Sequence, residues 1–229
     1  PNTNIYIAYL PDENPENIIV TAKKIKEEGF EPIPHLPART IEDYNNLEKY
    51  IGSLSETAGA NKILIIGGSS VQKGNISSSM EILKTGLMDR FKYKQIGLAG
   101  HPEGSPDISQ EDLDKAIIEK NEFAKDTNAK LYFVTQFFFE ALSFINWEKH
   151  IKALGNKLDI HAGIPGPANL KTLISFAKSC GIGNSIRFLS KQALNISKIA
   201  STSTPDKLIN DLSIYKASNI TSNFKKIHF

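Results

Sequence analysis

Apolar runs alternate with amphipathic stretches along most of this chain. The apolar runs fall at residues 5–10, 32–36, 62–66, 95–99, 131–139 and 158–162, with a weaker one at 225–228. Most are nearly uniformly apolar rather than alternating, so they predict strands buried on both faces, as in a parallel sheet. Amphipathic stretches between them predict helices over 17–28, 41–54, 79–87, 110–125, 140–154 and 169–179. In the first of these, Ile18, Ile19, Ala22 and Ile25 share one side, and Gly29 is placed to cap the C-terminal end. Thr40 is the expected N-cap of the second. Ser201-Thr202-Ser203-Thr204-Pro205 reads as a linker ahead of a last helix starting near Asp206. Strand followed by helix, repeated, predicts βα units with right-handed crossovers.

Such units build either an open doubly wound sheet or a closed barrel. Neither a GxGxxG segment after the first strand nor a P-loop is present, which takes support from the nucleotide-binding open sheets. Gly- and Pro-rich polar segments follow the strand ends, where barrel enzymes carry their chemistry. The expected fold is a parallel (β/α)8 TIM-type barrel forming one domain over residues 1–229. About seven strands are legible, one short of closure, and the chain opens at Pro1 only a few residues before a strand. The first βα unit is therefore expected to lie outside this stretch. A seven-stranded barrel is the alternative.

Composition agrees with one large soluble α/β domain: 229 residues, 40% hydrophobic and 23% charged. A net charge of +2, with Lys and Arg scattered, gives no case for nucleic acid or an acidic membrane surface. Lys23-Lys24 and Lys225-Lys226 read as solvated faces. No apolar stretch is long enough to span a membrane. The single cysteine, Cys180, excludes an internal disulfide and suits a reducing cytoplasm; at a helix end it reads as structural. The sequence leaves a homo-oligomer open.

The chemistry concentrates at strand ends. Val134-Thr135-Gln136-Phe137-Phe138-Phe139 sets a primary amide beside three aromatic rings. An amide offers donors and an acceptor to the edge of a flat heterocycle, and the rings offer faces. Gln136 is expected to point into the barrel mouth near Phe138 or Phe139, the alternative being a cap on the next helix. Of the five histidines, His35, His101 and His228 fall at or near strand ends, His161 lies within a strand, and His150 lies on an outer helix. No pair has metal-ligand spacing, and no metal site is expected.

At this point the residues resemble a known family. Gly100-His101-Pro102-Glu103-Gly104-Ser105-Pro106 is similar to a segment that usually reads Tyr-Pro-Glu-x-His-Pro in methylenetetrahydrofolate reductases. Val134 to Phe139 resembles their Thr-Gln-Phe-Phe-Phe strand end, Pro34-His35-Leu36 their Pro-His-Leu segment, and Gly163-Ile164-Pro165-Gly166 their Pro-Gly-Ile loop. Order and spacing agree over nearly the whole chain. The resemblance implies a βα barrel that reduces 5,10-methylenetetrahydrofolate to 5-methyltetrahydrofolate, with NAD(P)H as electron source and usually FAD. It implies that Gln136, with Phe138 and Phe139, contacts the folate, and that His35, Gly67, Gly68, Ser69 and His101 line the flavin position.

Three departures bear on that cofactor. The family's Asp is Ser69 here, its Tyr before Pro-Glu is His101, and its His after it is Ser105. Together they predict weak or absent FAD binding, with hydride passing directly from NAD(P)H. The family's acidic Glu belongs to a first strand not found in this sequence. His101 is then the expected proton donor, because an ordinary imidazole titrates near neutrality, with Glu103 orienting or replacing it. A non-catalytic folate-binding barrel and a folate-dependent methyl-transfer protein are the competing readings.

Overall fold

A computed structural model describes residues 3–10, 12–68, 71–179 and 202–229. Ser69 and Cys180 lie outside the described residues. Strand and helix alternate: β1 (Asn4–Ile7), α1 (Pro15–Glu27), β2 (Glu31–Pro37), α2 (Tyr44–Glu56), β3 (Lys62–Ile66), α3 (Ser79–Lys84), α4 (Leu87–Arg90), β4 (Gln95–Gly100), α5 (Gln110–Phe123) and β5 (Lys130–Thr135). Then come α6 (Ala141–Ala153), β6 (Asp159–Gly163), β7 (Ala168–Asn169), α7 (Leu170–Ser179), β8 (Thr202–Ser203), α8 (Asp206–Ser218) and β9 (Phe224–His228).

Seven strands share one sheet in the order β1-β2-β3-β4-β5-β6-β9, and β7 pairs with β8 in a separate antiparallel ribbon. The β1–β2, β2–β3, β3–β4 and β6–β9 pairings are parallel. This is parallel α/β architecture of the βα-barrel type, with seven barrel strands among the described residues where a closed barrel has eight. In the strand order β1 neighbours β2 alone.

The chain divides into two compact units, Pro1–Ala99 with Glu122–Tyr132, and Gly100–Asn121 with Phe133–Phe229. In the first, Ile33, Leu36, Leu47, Ile51, Leu54, Ile63 and Ile65 form a core without solvent exposure. These positions are the apolar strands and the inner stripe of α2, so burial follows the sequence pattern. Gly97 leaves room inside β4 for a tyrosine: a Cβ there would stand 3.2 Å from the Tyr132 hydroxyl, which lies 3.3 Å from that of Tyr6.

In the second unit, Phe133 meets Trp147 edge-on at 6.3 Å, and Phe144 packs against both Phe138 and Phe224 at 5.3 and 5.2 Å. Glu148, 1% exposed on α6, ties down the start of β9. Its Oε1 accepts the Ser222 hydroxyl at 2.7 Å and the backbone N–H groups of Asn223 and Phe224 at 2.7 and 3.2 Å.

Local expectations fail where a stronger local partner exists. Helix α2 begins at Tyr44, capped by the Asp43 carboxylate, which accepts from Asn46 N–H at 2.7 Å. Thr40 instead closes a 3-10 turn, its hydroxyl donating to the Pro37 carbonyl at 2.8 Å. The helix expected over 79–87 breaks in two at Gly86, whose φ of 74° is left-handed. The fifth strand stops at Thr135, so Gln136 and the three Phe residues lie beyond it. The last helix starts at Asp206, directly after Pro205, as expected.

Candidate functional site

The tips of β5, β6 and β9 meet around a cavity of about 420 Å3 in the second unit. Thr135, Gln136 and Phe137 line it from β5, Gly163 to Ala168 from the loop after β6, Leu173 and Phe176 from α7, and His228 and Phe229 from the end of β9. The β5–β6 seam is close: Gly163 N–H donates to the Thr135 hydroxyl at 2.8 Å, and a Cβ on Gly163 would stand 2.3 Å from the Thr135 carbonyl oxygen. Only glycine fits there. On the far side, Ile164 N–H donates to the His228 carbonyl at 2.9 Å.

Gln136 is anchored through its backbone N–H, which donates to the Gly100 carbonyl at 2.8 Å. Its side-chain Oε1 accepts the Phe137 N–H at 3.1 Å, which turns the amide at the cavity wall and leaves the next helix to start without it at Ala141. The three rings part company. Phe137 lines this cavity, and Phe139 meets it edge-on at 5.8 Å while lining a neighbouring space of about 310 Å3 with Glu140, Leu142, Lys207 and Asp211. Phe138 turns inward, 0% exposed, and stacks on Phe144. The expected placement of Phe138 beside Gln136 at the mouth is thus corrected: past Thr135 the backbone no longer alternates as a strand, and the ring fills the gap over α6.

His101 opens the turn after β4, where Gly104 N–H donates to the His101 carbonyl at 3.0 Å and Gly104 takes a φ of 77°. Glu103 lies inside the same turn, and neither residue lines the cavity. Burial, and then the positive charge of Lys120, push the His101 imidazole down to about 4. It is neutral at pH 7, which corrects the expectation of near-neutral titration; desolvation is the reason. Lys120, 6% exposed, holds its ammonium 5.6 Å from the Phe133 ring centroid, and burial lowers it to about 8.

In the first unit, His35 lies at the end of β2, edge-on to Tyr6 at 6.1 Å, with Tyr50 donating to its carbonyl at 3.3 Å. The loop after β3 is bound to Arg39. The Gly67 carbonyl accepts the Arg39 N–H at 3.0 Å and the Gly68 carbonyl accepts its guanidinium at 3.3 Å. Gly68 has a φ of 88° and a Cβ there would press on Pro37 at 3.0 Å. The two described glycines of this loop turn their carbonyls to Arg39 and bring no side chain to a cofactor.

His150 pairs with Asp114 at 2.8 Å on the surface of α5 and α6. His161 is half-buried on β6. Among the described residues no group of three His, Cys, Asp or Glu side chains is placed to hold a metal ion, and no helix is long and apolar enough to cross a membrane.

Phe137, Leu173 and Phe176 line the cavity without being singled out by the sequence: Phe137 lies inside the Thr-Gln-Phe-Phe-Phe segment, and the two on α7 carry no signal beyond an amphipathic helix. Among solved structures the chain resembles the tetrameric deoxyribose phosphate aldolase from Aeropyrum pernix, with TM-score 0.44 and 11% identity over 82% of this chain and 71% of that one. The family model described as methylenetetrahydrofolate reductase matches residues 12–190, a span containing the Gln136 strand end, the His101 turn and the Gly163 loop. The chain belongs to the methylenetetrahydrofolate reductase family.

Proposed function

We propose that this protein reduces 5,10-methylenetetrahydrofolate to 5-methyltetrahydrofolate with NAD(P)H. The observation that carries the reading is Gln136: its amide stands on the wall of an otherwise largely apolar cavity, beside Phe137, in a chain of this family. A pterin is flat, with an amide-like edge, and asks for that combination of donor, acceptor and ring face. The hydride of a reduced nicotinamide attacks the methylene carbon as its bond to one ring nitrogen opens, and that nitrogen takes a proton. Close, dry packing of donor and acceptor supplies most of the rate.

His101 and Glu103 are proposed for the proton-delivering side. A neutral His101 serves as a hydrogen-bonding group at pH 7, with Glu103 in the same turn orienting it or serving in its place. FAD is proposed to bind weakly or not at all.

The test is a visible spectrum of the purified protein and an assay of NADH and NADPH oxidation with 5,10-methylenetetrahydrofolate. Turnover without flavin absorbance is expected. Folate binding without turnover sinks the reductase reading in favour of a folate-binding or methyl-transfer protein. Stoichiometric flavin surviving gel filtration refutes the flavin part alone.

A further inference from the structure

The last strand of the sheet contains an irregularity that changes which way its end faces. Strand β9 pairs with β6 as Ile160 with Phe224, then His161 with Lys226, Ala162 with Ile227 and Gly163 with His228. Lys225 is the extra residue of a β-bulge. In a regular strand, residues two apart share a face, so Phe224, Lys226 and His228 would all lie on one side. Phe224 packs on Phe144 of α6, so that side is the helix-covered one. Without the bulge His228 would point into the helix layer.

The bulge shifts the alternation by one. His228 then shares the face of its partner Gly163, opposite to Phe224 and Ile160, and both it and Gly163 line the 420 Å3 cavity. Bulges recur beside functional sites because they re-aim a side chain in this way. The consecutive exposure of Lys225 and Lys226 is the surface trace of the shift.

The cavity's polar side chains are few. Thr135 accepts the Gly163 N–H through its hydroxyl, and Gln136 accepts the Phe137 N–H through Oε1, which leaves the Gln136 amide group as a donor. His228 adds an imidazole to the wall that β9 provides. Burial lowers its pKa, which favours the neutral imidazole.

We infer that His228 is a ligand-binding residue, turned into the cavity by the Lys225 bulge, and that with Gln136 it makes a two-point polar grip on the edge of a flat heterocycle. The inference rests on the folate reading for the identity of that heterocycle, a pterin. It assigns His228 a contact with the bound ligand rather than a structural role at the end of the sheet.

The test follows tetrahydrofolate binding to the whole protein by calorimetry, and the His228 imidazole resonances by NMR on 15N-histidine-labelled protein, assigned with His228→Gln. Tetrahydrofolate is expected to shift those resonances. His228→Ala is expected to weaken binding about tenfold, and His228→Gln, which keeps a donor and an acceptor, to recover most of the loss. Unmoved resonances at saturating tetrahydrofolate overturn the inference, as does wild-type affinity in a folded His228→Ala protein. If the wild-type protein does not bind tetrahydrofolate, the folate reading fails, and the same resonances are followed with FMN and NADH. Movement with either supports the His228 contact; no movement with any of them overturns it.

Discussion

The Thr135 side chain and the Gly163 backbone are locked together: the hydroxyl accepts the glycine N–H at 2.8 Å, and the Thr135 carbonyl oxygen occupies the place where a Gly163 side chain would begin. Gln136 and Ile164 follow these two residues directly, so the seam sets the width of the candidate site.

Gly163→Ala is therefore expected to force β5 and β6 apart. A Cβ at 2.3 Å from a backbone oxygen has no flexible neighbour to give way. Overpacking of this kind costs about 1–3 kcal/mol. Urea denaturation would show it as a lower midpoint with an unchanged slope, and folate binding should fall with it. An unaltered midpoint would contradict the close seam.

Gln136→Ala removes the amide from the cavity wall. Leaving ligand groups unpaired costs roughly 1–3 kcal/mol of binding, or about 5- to 150-fold in affinity. Protein stability should change little, since the Gln136 backbone N–H keeps its bond to Gly100. Calorimetry with tetrahydrofolate checks the first, and thermal melting the second. Equal affinity in the two proteins would remove Gln136 from the site.

Glu148→Ala should be among the most damaging changes away from the cavity. It strips the acceptor from the Ser222 hydroxyl and the Asn223 N–H at the start of β9, beside a carboxylate that is 1% exposed, while the Phe224 N–H keeps the Ser222 hydroxyl at 3.1 Å. A loss of roughly 1–3 kcal/mol is expected, because these donors lose their acceptor in a buried site. Hydrogen exchange at Asn223 and Phe224 should quicken before exchange elsewhere in the second unit.

His101 makes stability depend on pH in a defined window. Its folded value of about 4 lies below the ordinary 6.5, chiefly through burial and then through Lys120. Between those values the unfolded chain binds more protons, so stability rises with pH there and is lost on acidification. The difference between pH 7 and pH 4 should be of the order of 2–3 kcal/mol. His101→Gln should flatten the profile in that window when denaturation is followed across pH.

Lys120 works in the opposite range. Its value of about 8 is below the ordinary 10.5, so at pH 7 the folded state carries a charge that burial disfavours. The position gains stability as pH rises from 8 towards 10.5. Lys120→Met removes the charge that helps to hold the His101 imidazole down and is expected to raise the His101 pKa, which NMR titration would report; an unmoved His101 would contradict the coupling.

The parallel βα order was legible in the sequence because it is a local property. Nearly uniformly apolar runs such as Lys62–Ile66 read as strands covered on both faces, and α8 starts where Pro205 ends the linker. The strand leading to Gln136 was equally legible, since Tyr132 to Thr135 is aromatic or β-branched throughout, but the apolar run to Phe139 hid where that strand stops. Only the tertiary structure decided which of the three Phe rings meets the cavity, because Phe138 is taken up by Phe144 of α6 while Phe137 is left at the wall. It alone decided that His101 is neutral, since burial by folded neighbours, not residue type, sets that charge. And it alone turned His228 to the cavity, because a bulge is defined by the register of two strands, Ile160 against Phe224 and His161 against Lys226, and register exists only once both strands are in place.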